Sequence, residues 1–315
     1  MELLQLTSDL LSVDPGWTSV TTVTGALLVT TNVAAANVPA FSLFEGIFQA
    51  IVLGLVQGIT EFLPISSTAH LIIFTDVFHW KAVWSKAAVD AIQFGSVVAV
   101  VLYFWQDIRQ LLVGGWTALQ QRDWQREEWK ILVGIGAGTI PALAVGFILK
   151  QLNLLPESAL VIAVMAIVMS LLLGLAEKIG IRKRGFDQLE VRDGFLVGLW
   201  QMIALLPGAS RSGSTLTGAL FLGLERSTAA RFSFLLGIPT LTIATLVQAK
   251  DVLSVGNMMV PLLVGIVSSF IFSYLSIAWL LKFLQRNSNW VFVWYRLALG
   301  ATLLGAIALG WLKGT

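Results

Sequence analysis

The sequence contains no cysteine among its 315 residues. Disulfide bonds, thiolate nucleophiles and metal sites built from cysteine are therefore excluded. Charged side chains are also scarce: they make up 12% of the chain, whereas hydrophobic residues make up 57% and the mean hydropathy is +0.83. Because a soluble domain carries about twice this fraction of charged residues, the composition indicates an integral membrane protein.

The motifs that mark nucleotide and nucleic-acid binding are absent as well. The chain has neither a Walker lysine pattern nor a dinucleotide-binding fingerprint, and its net charge of +2 is not gathered into a basic tract. These absences argue against nucleotides and nucleic acids as partners.

The first 42 residues contain no lysine or arginine. A secretory signal peptide begins with a basic stretch, so the small residues at 34–40 are weak evidence for cleavage. We expect residues 1–42 to be an N-terminal extension that is peripheral to the membrane or partly inserted in it. Residues 43–315 are expected to form a single membrane-embedded domain.

Apolar segments predict the fold. A helix needs about 20 residues to cross a bilayer. Six apolar segments come close to this length, at 88–106, 131–150, 157–176, 232–249, 258–281 and 291–312. Two pairs of segments are shorter and broken in the middle, 44–62 with 67–78 and 194–206 with 213–224. The prediction is an all-α polytopic membrane protein with about six full transmembrane helices plus two re-entrant helical hairpins arranged as an inverted-topology repeat.

Charge placement predicts the orientation of these segments. Lysine and arginine are concentrated in the connections 107–130 and 177–193, which should therefore be cytoplasmic. The sparsely charged link 151–156 and both termini then lie outside. The first hairpin then enters the membrane from outside and the second enters from inside. The repeat halves are about 43–150 and 151–315. Charge alone does not prove that the hairpins are re-entrant. If each arm of a broken pair crossed the membrane, the connections would lie on the same sides.

A group of polar residues surrounds the break in the first pair. It comprises Gln57, Glu61, Ser66, Ser67, Thr68 and His70, with Pro64 between them. Gln57 and Glu61 are four residues apart and so share one face of a helix. A carboxylate in an apolar run is costly unless it faces a partner or a water-filled cavity, so Glu61 marks a functional site. Beside it, His70 is a candidate proton carrier, although hydroxyls in membrane helices often bond only to helix carbonyls.

The break in the second pair is typical of an anion-binding loop. It comprises Pro207, Gly208, Ala209, Ser210, Arg211, Ser212, Gly213, Ser214 and Thr215. Gly208 and Gly213 permit tight turns that expose amides at the start of the next helix. Arg211 offers a planar guanidinium that matches phosphate oxygens, and the hydroxyls add further donors. The alternative is a structural turn in which Arg211 only pairs with Glu61.

The two motifs resemble those of the undecaprenyl-diphosphate phosphatase family, the bacitracin-resistance type of integral membrane phosphatase. The resemblance extends from Phe44 to the C-terminus. The matching positions are Gln57, Glu61, Pro64, Ser66, Ser67, Thr68 and His70, followed by Pro207, Gly208, Ser210, Arg211, Ser212 and Thr215. Two positions depart from the family pattern. Many relatives have Glu where this chain has Gln57, and many have Gly where it has Ala69. The first departure puts a site with two carboxylates in doubt.

The resemblance implies hydrolysis of undecaprenyl diphosphate to undecaprenyl phosphate and inorganic phosphate. This reaction recycles the lipid carrier used for peptidoglycan and other cell-envelope polymers. The family also implies a multi-pass protein of the bacterial plasma (inner) membrane whose active site opens to the outer, periplasmic side.

The resemblance and the motifs together suggest roles for the residues. Arg211 would bind the diphosphate, and Glu61 would either hold a divalent cation (Mg²⁺ or Ca²⁺) or act as a base. Ser67 is the candidate nucleophile with His70 as its proton partner, and direct attack by water is left open. Further substrate-binding residues are expected to be Gln57, Ser66, Thr68, Gly208, Ser210, Ser212 and Thr215.

A lipid-carrier flippase or secondary transporter is the main alternative, because inverted repeats with broken helices are a common transporter architecture. Phosphate release by the protein in detergent, where no gradient exists, distinguishes the two activities. The sequence leaves open which metal takes part, which prenyl chain length is preferred and whether the protein forms a homodimer.

Overall fold

A computed structural model describes residues 20–24, 27–31, 42–152, 154, 158–252 and 258–312. The chain divides into two units, Met1–Ser42 and Leu43–Thr315. In the first unit, strands β1 (Val20–Thr24) and β2 (Leu27–Thr31) pair in antiparallel fashion, with Val20 opposite Thr31. Both strands are rich in the β-branched residues that favour extended backbone. The small residues at 34–40 lie outside the described part of the chain.

The elements described in the second unit are helices. Its helices are α1 (Leu43–Phe62), α2 (Ser67–Val77), α3 (Lys86–Tyr103), α4 (Trp105–Gln121), α5 (Glu127–Gln151), α6 (Ala159–Ile179), α7 (Val191–Ile203), α8 (Arg211–Phe221), α9 (Arg226–Val252), α10 (Met259–Leu284) and α11 (Trp290–Ala308). Short 3₁₀ turns lie at Trp80–Ala82 and Phe186–Gln188. The prediction of an all-α membrane domain is confirmed.

Seven of these helices are long and apolar enough to cross a membrane, counted over the described residues. Six of them, α3, α5, α6, α9, α10 and α11, correspond to the six predicted spans. The seventh is α1, the first arm of the first predicted hairpin, which has 20 residues where its counterpart α7 has 13. The chain is therefore a multi-pass membrane protein.

One helix was not predicted. The connection 107–130 was predicted to be cytoplasmic because of its basic residues, and residues 105–121 form the helix α4. Its buried residues Leu111, Gly114 and Ala118 lie on one side of the helix, whereas the apolar side chains of Leu112 and Trp116 are exposed. An amphipathic helix of this kind is too polar for a hydropathy search to find.

The repeat is visible in the backbone of the two broken pairs. Both second arms, α2 and α8, have 11 residues. Each begins directly after a serine with positive φ, 76° at Ser66 and 69° at Ser210. These two serines are 144 positions apart and occupy the same place in their motifs. The shared backbone conformation shows that the two motifs are structural counterparts.

The two halves are interlocked through close helix contacts. Helix α1 packs against α10, and α7 packs against α5, so each first arm lies against a long helix of the other half. Glycines make both contacts close: a Cβ atom at Gly54 or Gly58 would overlap α10, and one at Gly194 or Gly198 would overlap the backbone of α5. Small residues serve this purpose in membrane helices generally.

Ion pairs fasten the end of α6 and the connection that follows it. Glu177 is 3% exposed and accepts hydrogen bonds from Arg226 and from the side-chain amide of Asn289. Arg184 donates two hydrogen bonds to Asp193, at 2.9 and 2.6 Å. Hydrogen bonding to Asp193 raises the pKa of the Arg184 guanidinium above its ordinary value. These contacts hold α6, α7, α9 and α11 together at this end.

Candidate active site

The breaks of the two hairpins lie against each other. Helix α1 ends at Phe62, two residues before Pro64, whose ring removes a backbone donor. The second break contains Pro207 and then Gly208, whose φ of 88° favours glycine. Ser212, at the start of α8, donates its hydroxyl to the carbonyl oxygen of Leu63 at 3.0 Å. We call the segments 63–66 and 204–210 the two tips.

Glu61 is the centre of the polar contacts at the tips. The carboxylate is only 7% exposed. Its Oε2 accepts hydrogen bonds from Ser67 Oγ at 2.7 Å and Gln57 Nε2 at 3.1 Å, and its Oε1 lies 3.4 Å from Arg211 Nη2. Three donors thus compensate for the burial of one negative charge. Glu61 is placed to accept the Ser67 proton.

Arg211 reaches Glu61 with one nitrogen only. Its Nε and Nη1 atoms are buried and have no hydrogen-bond partner among the described residues. Space for the guanidinium comes from Gly237 in α9, where a Cβ atom would overlap Nη1. Buried donors without a partner are costly, and pairing with Glu61 alone does not account for them. An anion beside Glu61 would satisfy them.

The hydroxyls of the second motif are engaged differently from the prediction. Ser212 donates to the carbonyl oxygens of Glu61 and Leu63, and Thr215 donates to the carbonyl of Arg211 at 2.9 Å. Ser210 Oγ caps α8 by accepting from the Gly213 amide at 3.2 Å. In this conformation these groups hold the second tip in place, and the contact of Ser210, Ser212 and Thr215 with the substrate stays a prediction.

His70 is hydrogen-bonded to groups other than Ser67. Its Nδ1 lies 2.7 Å from the carbonyl oxygen of Ser66, and its Nε2 lies 2.6 Å from the hydroxyl of Tyr295. A carbonyl oxygen only accepts, so Nδ1 carries a proton, and in the neutral imidazole Nε2 accepts from Tyr295. In this conformation His70 is directed towards α11 and Ser67 is bonded to Glu61, so the structure brings Ser67 to Glu61 rather than to its predicted proton partner.

Two residues of α11 at the site were missed by sequence reasoning. Tyr295 bonds to His70, and the neighbouring Arg296 bonds to carbonyl oxygens of both tips. Arg296 is 1% exposed and is the only charged residue in the 19 residues of α11. A lone charge inside an apolar helix marks a functional position, and this signal was present in the sequence.

Arg296 also explains why position 213 is a glycine. This glycine was predicted to form a tight turn, but it lies inside α8. A Cβ atom at Gly213 would approach Arg296 Nη1 to 2.6 Å. The glycine is therefore needed for space, whereas Gly208 forms the turn.

Gln57 belongs to a buried polar network that continues away from Glu61. Its Nε2 lies 3.5 Å from Ser96 Oγ, which in turn contacts the hydroxyls of Ser269 and Ser273 at 3.0 and 2.8 Å. The second half has a matching contact between the Nε2 of Gln201 and the hydroxyl of Thr240 at 3.1 Å. The network orients the Gln57 amide so that its donor faces Glu61.

A pocket of about 410 Å³ reaches the site. Ser67, Gln57 and the exposed Thr68 lie at one part of its wall. The rest of the wall is formed by Leu71, Ile72, Thr75, Lys81, Trp84, Ser85, Lys86, Val89, Asp90, Gln93, Leu205 and Pro207. Ser67 is therefore accessible to a ligand that is partly apolar and partly polar.

The side chains at the site supply only some of the ligands that a cation needs. No group of three or more histidine, aspartate or glutamate side chains suited to a metal occurs within the described ranges. Glu61 is a single carboxylate with oxygen donors beside it. Mg²⁺ is commonly held by one or two carboxylates plus phosphate oxygens, so these residues fit a cation that is bound together with a phosphorylated substrate.

The chain is similar to known proteins over most of its length. Residues 50–302 match the family described as bacitracin resistance protein BacA. A protein of Thermosynechococcus vestitus named undecaprenyl-diphosphatase is 66% identical over 265 residues, which cover 84% of this chain and 97% of the relative. Proteins of the same name from Trichodesmium erythraeum and Trichormus variabilis are 48% and 50% identical, and each comparison covers 85% of this chain and 88% or 86% of the relative. The chain therefore belongs to the bacitracin resistance protein BacA family.

Proposed function

We propose that this protein hydrolyses undecaprenyl diphosphate to undecaprenyl phosphate and inorganic phosphate. The names of its relatives support this reaction. The observation that carries the proposal is the arrangement of Arg211, with two buried donors lacking a partner in the described chain, beside a serine hydroxyl bonded to a carboxylate. A phosphate anion complements the first group and a nucleophilic attack uses the second.

In the proposed reaction, Arg211 binds the terminal phosphate and Ser67 attacks it. Glu61 takes the proton of Ser67 Oγ as that oxygen bonds to the terminal phosphorus. The bond between this phosphorus and the bridging oxygen breaks, and undecaprenyl phosphate leaves in line. Water then hydrolyses the phosphoserine, releasing inorganic phosphate, and Glu61 returns the proton to Ser67. His70 is assigned to holding the Ser66 carbonyl and thereby the first tip.

A divalent cation is retained in the proposal. Glu61 and the phosphate oxygens of the substrate would hold it, and it would neutralise part of the diphosphate charge. The residues available suit Mg²⁺ or Ca²⁺, both of which prefer oxygen ligands.

The proposed location is the bacterial plasma membrane, with the pocket open to the outer side. The apolar helices and the names of the relatives support a membrane lipid as substrate. A pocket of about 410 Å³ is far too small for a C55 chain, so most of the prenyl chain would lie in the bilayer.

The decisive experiment is an assay of phosphate release from undecaprenyl diphosphate by the purified protein in detergent. The wild type is expected to release phosphate, and Glu61→Ala and Arg211→Ala are expected to lose nearly all activity while staying membrane-inserted. Substrate binding without release in the wild type would indicate a carrier. Wild-type turnover in both variants would refute the assigned site.

A further inference from the structure

We propose that Arg296 is a positioning residue that holds the two tips at the separation required for phosphate transfer. The proposal rests on the proposed function, since the separation matters because each tip carries one half of the chemistry. Glu61 and Ser67 flank the first tip, and Arg211 directly follows the second.

A single guanidinium bridges the two tips. Arg296 Nη1 donates to the carbonyl oxygen of Pro64 at 3.1 Å. Its Nη2 donates to the carbonyl oxygens of Gly208 and Ala209, both at 2.9 Å. Because the guanidinium is planar and its donors are in fixed directions, these three bonds determine where one backbone segment lies relative to the other.

The environment of Arg296 is arranged around this contact. The side chain is 1% exposed, and its guanidinium donates to backbone carbonyl oxygens rather than to a carboxylate. Burying a charge without a counter-charge is unfavourable, so the three carbonyl oxygens are its main compensation. Gly213 supplies the space for Nη1, since a Cβ atom there would lie 2.6 Å away.

The anchored carbonyls are close in sequence to the reacting groups. Pro64 lies three residues from both Glu61 and Ser67, and Ala209 lies two residues before Arg211. Loss of the bridge would leave the contact of Ser212 with Leu63 to hold these segments. We expect the tips then to shift and to move Ser67 out of line with a phosphate bound at Arg211. We expect the rate of the chemical step to suffer more than substrate binding, because Arg211 itself is left intact.

The kinetic test compares Arg296→Gln with Arg296→Lys in the full chain. We expect Arg296→Gln to lower kcat by about 100-fold, the loss typical of an ångström-scale misplacement, with KM changed less than about threefold. Lysine keeps the charge but has one compact ammonium that cannot reproduce the planar fork, so its kcat should also be strongly reduced. Near wild-type kcat in Arg296→Lys would show that charge alone matters and would overturn the proposal.

The structural test uses the absence of cysteine. Cysteines introduced at the exposed positions Val77 in α2 and Phe195 in α7 can carry spin labels on the two hairpins. Pulsed electron paramagnetic resonance should give a broader or longer distance distribution in Arg296→Gln than in the parent. An unchanged distribution would contradict the proposal even if activity were lost. The measurement needs no substrate, so it stays informative if the wild type releases no phosphate.

Two further variants control for folding. Arg286→Gln removes an exposed guanidinium just before α11 and should change neither kcat nor the distance distribution. If Arg296→Gln elutes as an aggregate, Gly213→Ala tests the same bridge by pressing a methyl group against Nη1. Unchanged kcat and distances in Gly213→Ala would then overturn the proposal.

Discussion

At the scale of single residues, the site depends on how buried charges are compensated. Glu61 has three donors, whereas Arg211 has one acceptor for three nitrogens among the described residues. The two residues together therefore hold an excess of donors. Such an excess is stable only beside an anion or solvent, and this explains why the pair suits a phosphate better than it suits a purely structural role.

Replacing Gln57 tests how this site manages negative charge. Gln57→Glu places a second carboxylate where an amide nitrogen now lies 3.1 Å from Glu61 Oε2. Two carboxylates at this distance repel unless a proton or a cation lies between them. We expect phosphate release by Gln57→Glu to depend more steeply on Mg²⁺ or Ca²⁺ than release by the wild type. The measurement is activity across a cation titration after chelation, and equal dependence in both proteins would contradict the expectation.

Ser67→Ala distinguishes attack by serine from attack by water. If Ser67 is the nucleophile, the variant should lose phosphate release by at least about 100-fold, because the covalent step is no longer available. Acid quenching with a substrate labelled in the terminal phosphate should trap labelled protein in the wild type and none in Ser67→Ala. Substantial residual turnover with no trapped protein in either would favour direct attack by water.

At the scale of helices, the tips are supported by close packing of their first arms. Gly58 in α1 faces the backbone of α10, so a methyl group there would lie 2.7 Å from the Ser273 amide nitrogen and 2.8 Å from the Ser269 carbonyl oxygen. Backbone atoms cannot move aside as a flexible side chain does. The position of α1, and with it Glu61, is therefore sensitive to a single methyl group.

Gly58→Ala is accordingly expected to destabilise the protein by about 1–3 kcal/mol, the usual cost of overpacking. The matched control is Gly136→Ala in α5, where an added Cβ atom would have no neighbour within 4 Å in the described structure. The control should be neutral or slightly stabilising, since alanine has the higher helix propensity. Unfolding followed in detergent by tryptophan fluorescence gives both values. Equal stability of the two variants would show that the α1–α10 contact can relax.

At the scale of the whole molecule, two halves with matching elements place different chemistry at one point. The contacts of Gln57 with Ser96 and of Gln201 with Thr240 occupy corresponding places. Position 61 is a glutamate, whereas the corresponding position 205 is a leucine. The framework is thus repeated, and the catalytic groups are not. Neither half contains both the carboxylate with its serine and the free donors of Arg211.

The inverted arrangement predicts an orientation that cysteine labelling can test. A cysteine at the exposed Leu154 should react with a membrane-impermeant maleimide in intact cells. One at Asp123, in the basic connection after α4, should react only after permeabilisation, because positively charged connections stay cytoplasmic. The parent protein is an unlabelled control, since it has no cysteine. The reverse pattern would invert the proposed topology and the side to which the pocket opens.

Much of the fold could be predicted because its signals are local. Apolar length located the spans, proline located the breaks at Pro64 and Pro207, and the cost of a buried carboxylate identified Glu61. Helix α4 was not predicted because polar residues interrupt its apolar ones, which leaves no apolar run long enough for a span. The bounds of α1 were nearly right, although its length allows it to cross a membrane as well as to form half of a hairpin.

Composition and motif spacing establish a membrane protein with two related broken helix pairs, and they locate the polar residues at the breaks. The pairing of those residues follows from how the helices pack. Ser67 bonds to Glu61 rather than to the nearby His70, and Arg296 contacts Pro64 across 232 positions of the chain. The physical reason is that a buried polar group takes whichever partner the packing of helices brings within about 3 Å, and residue spacing along the chain does not specify that packing.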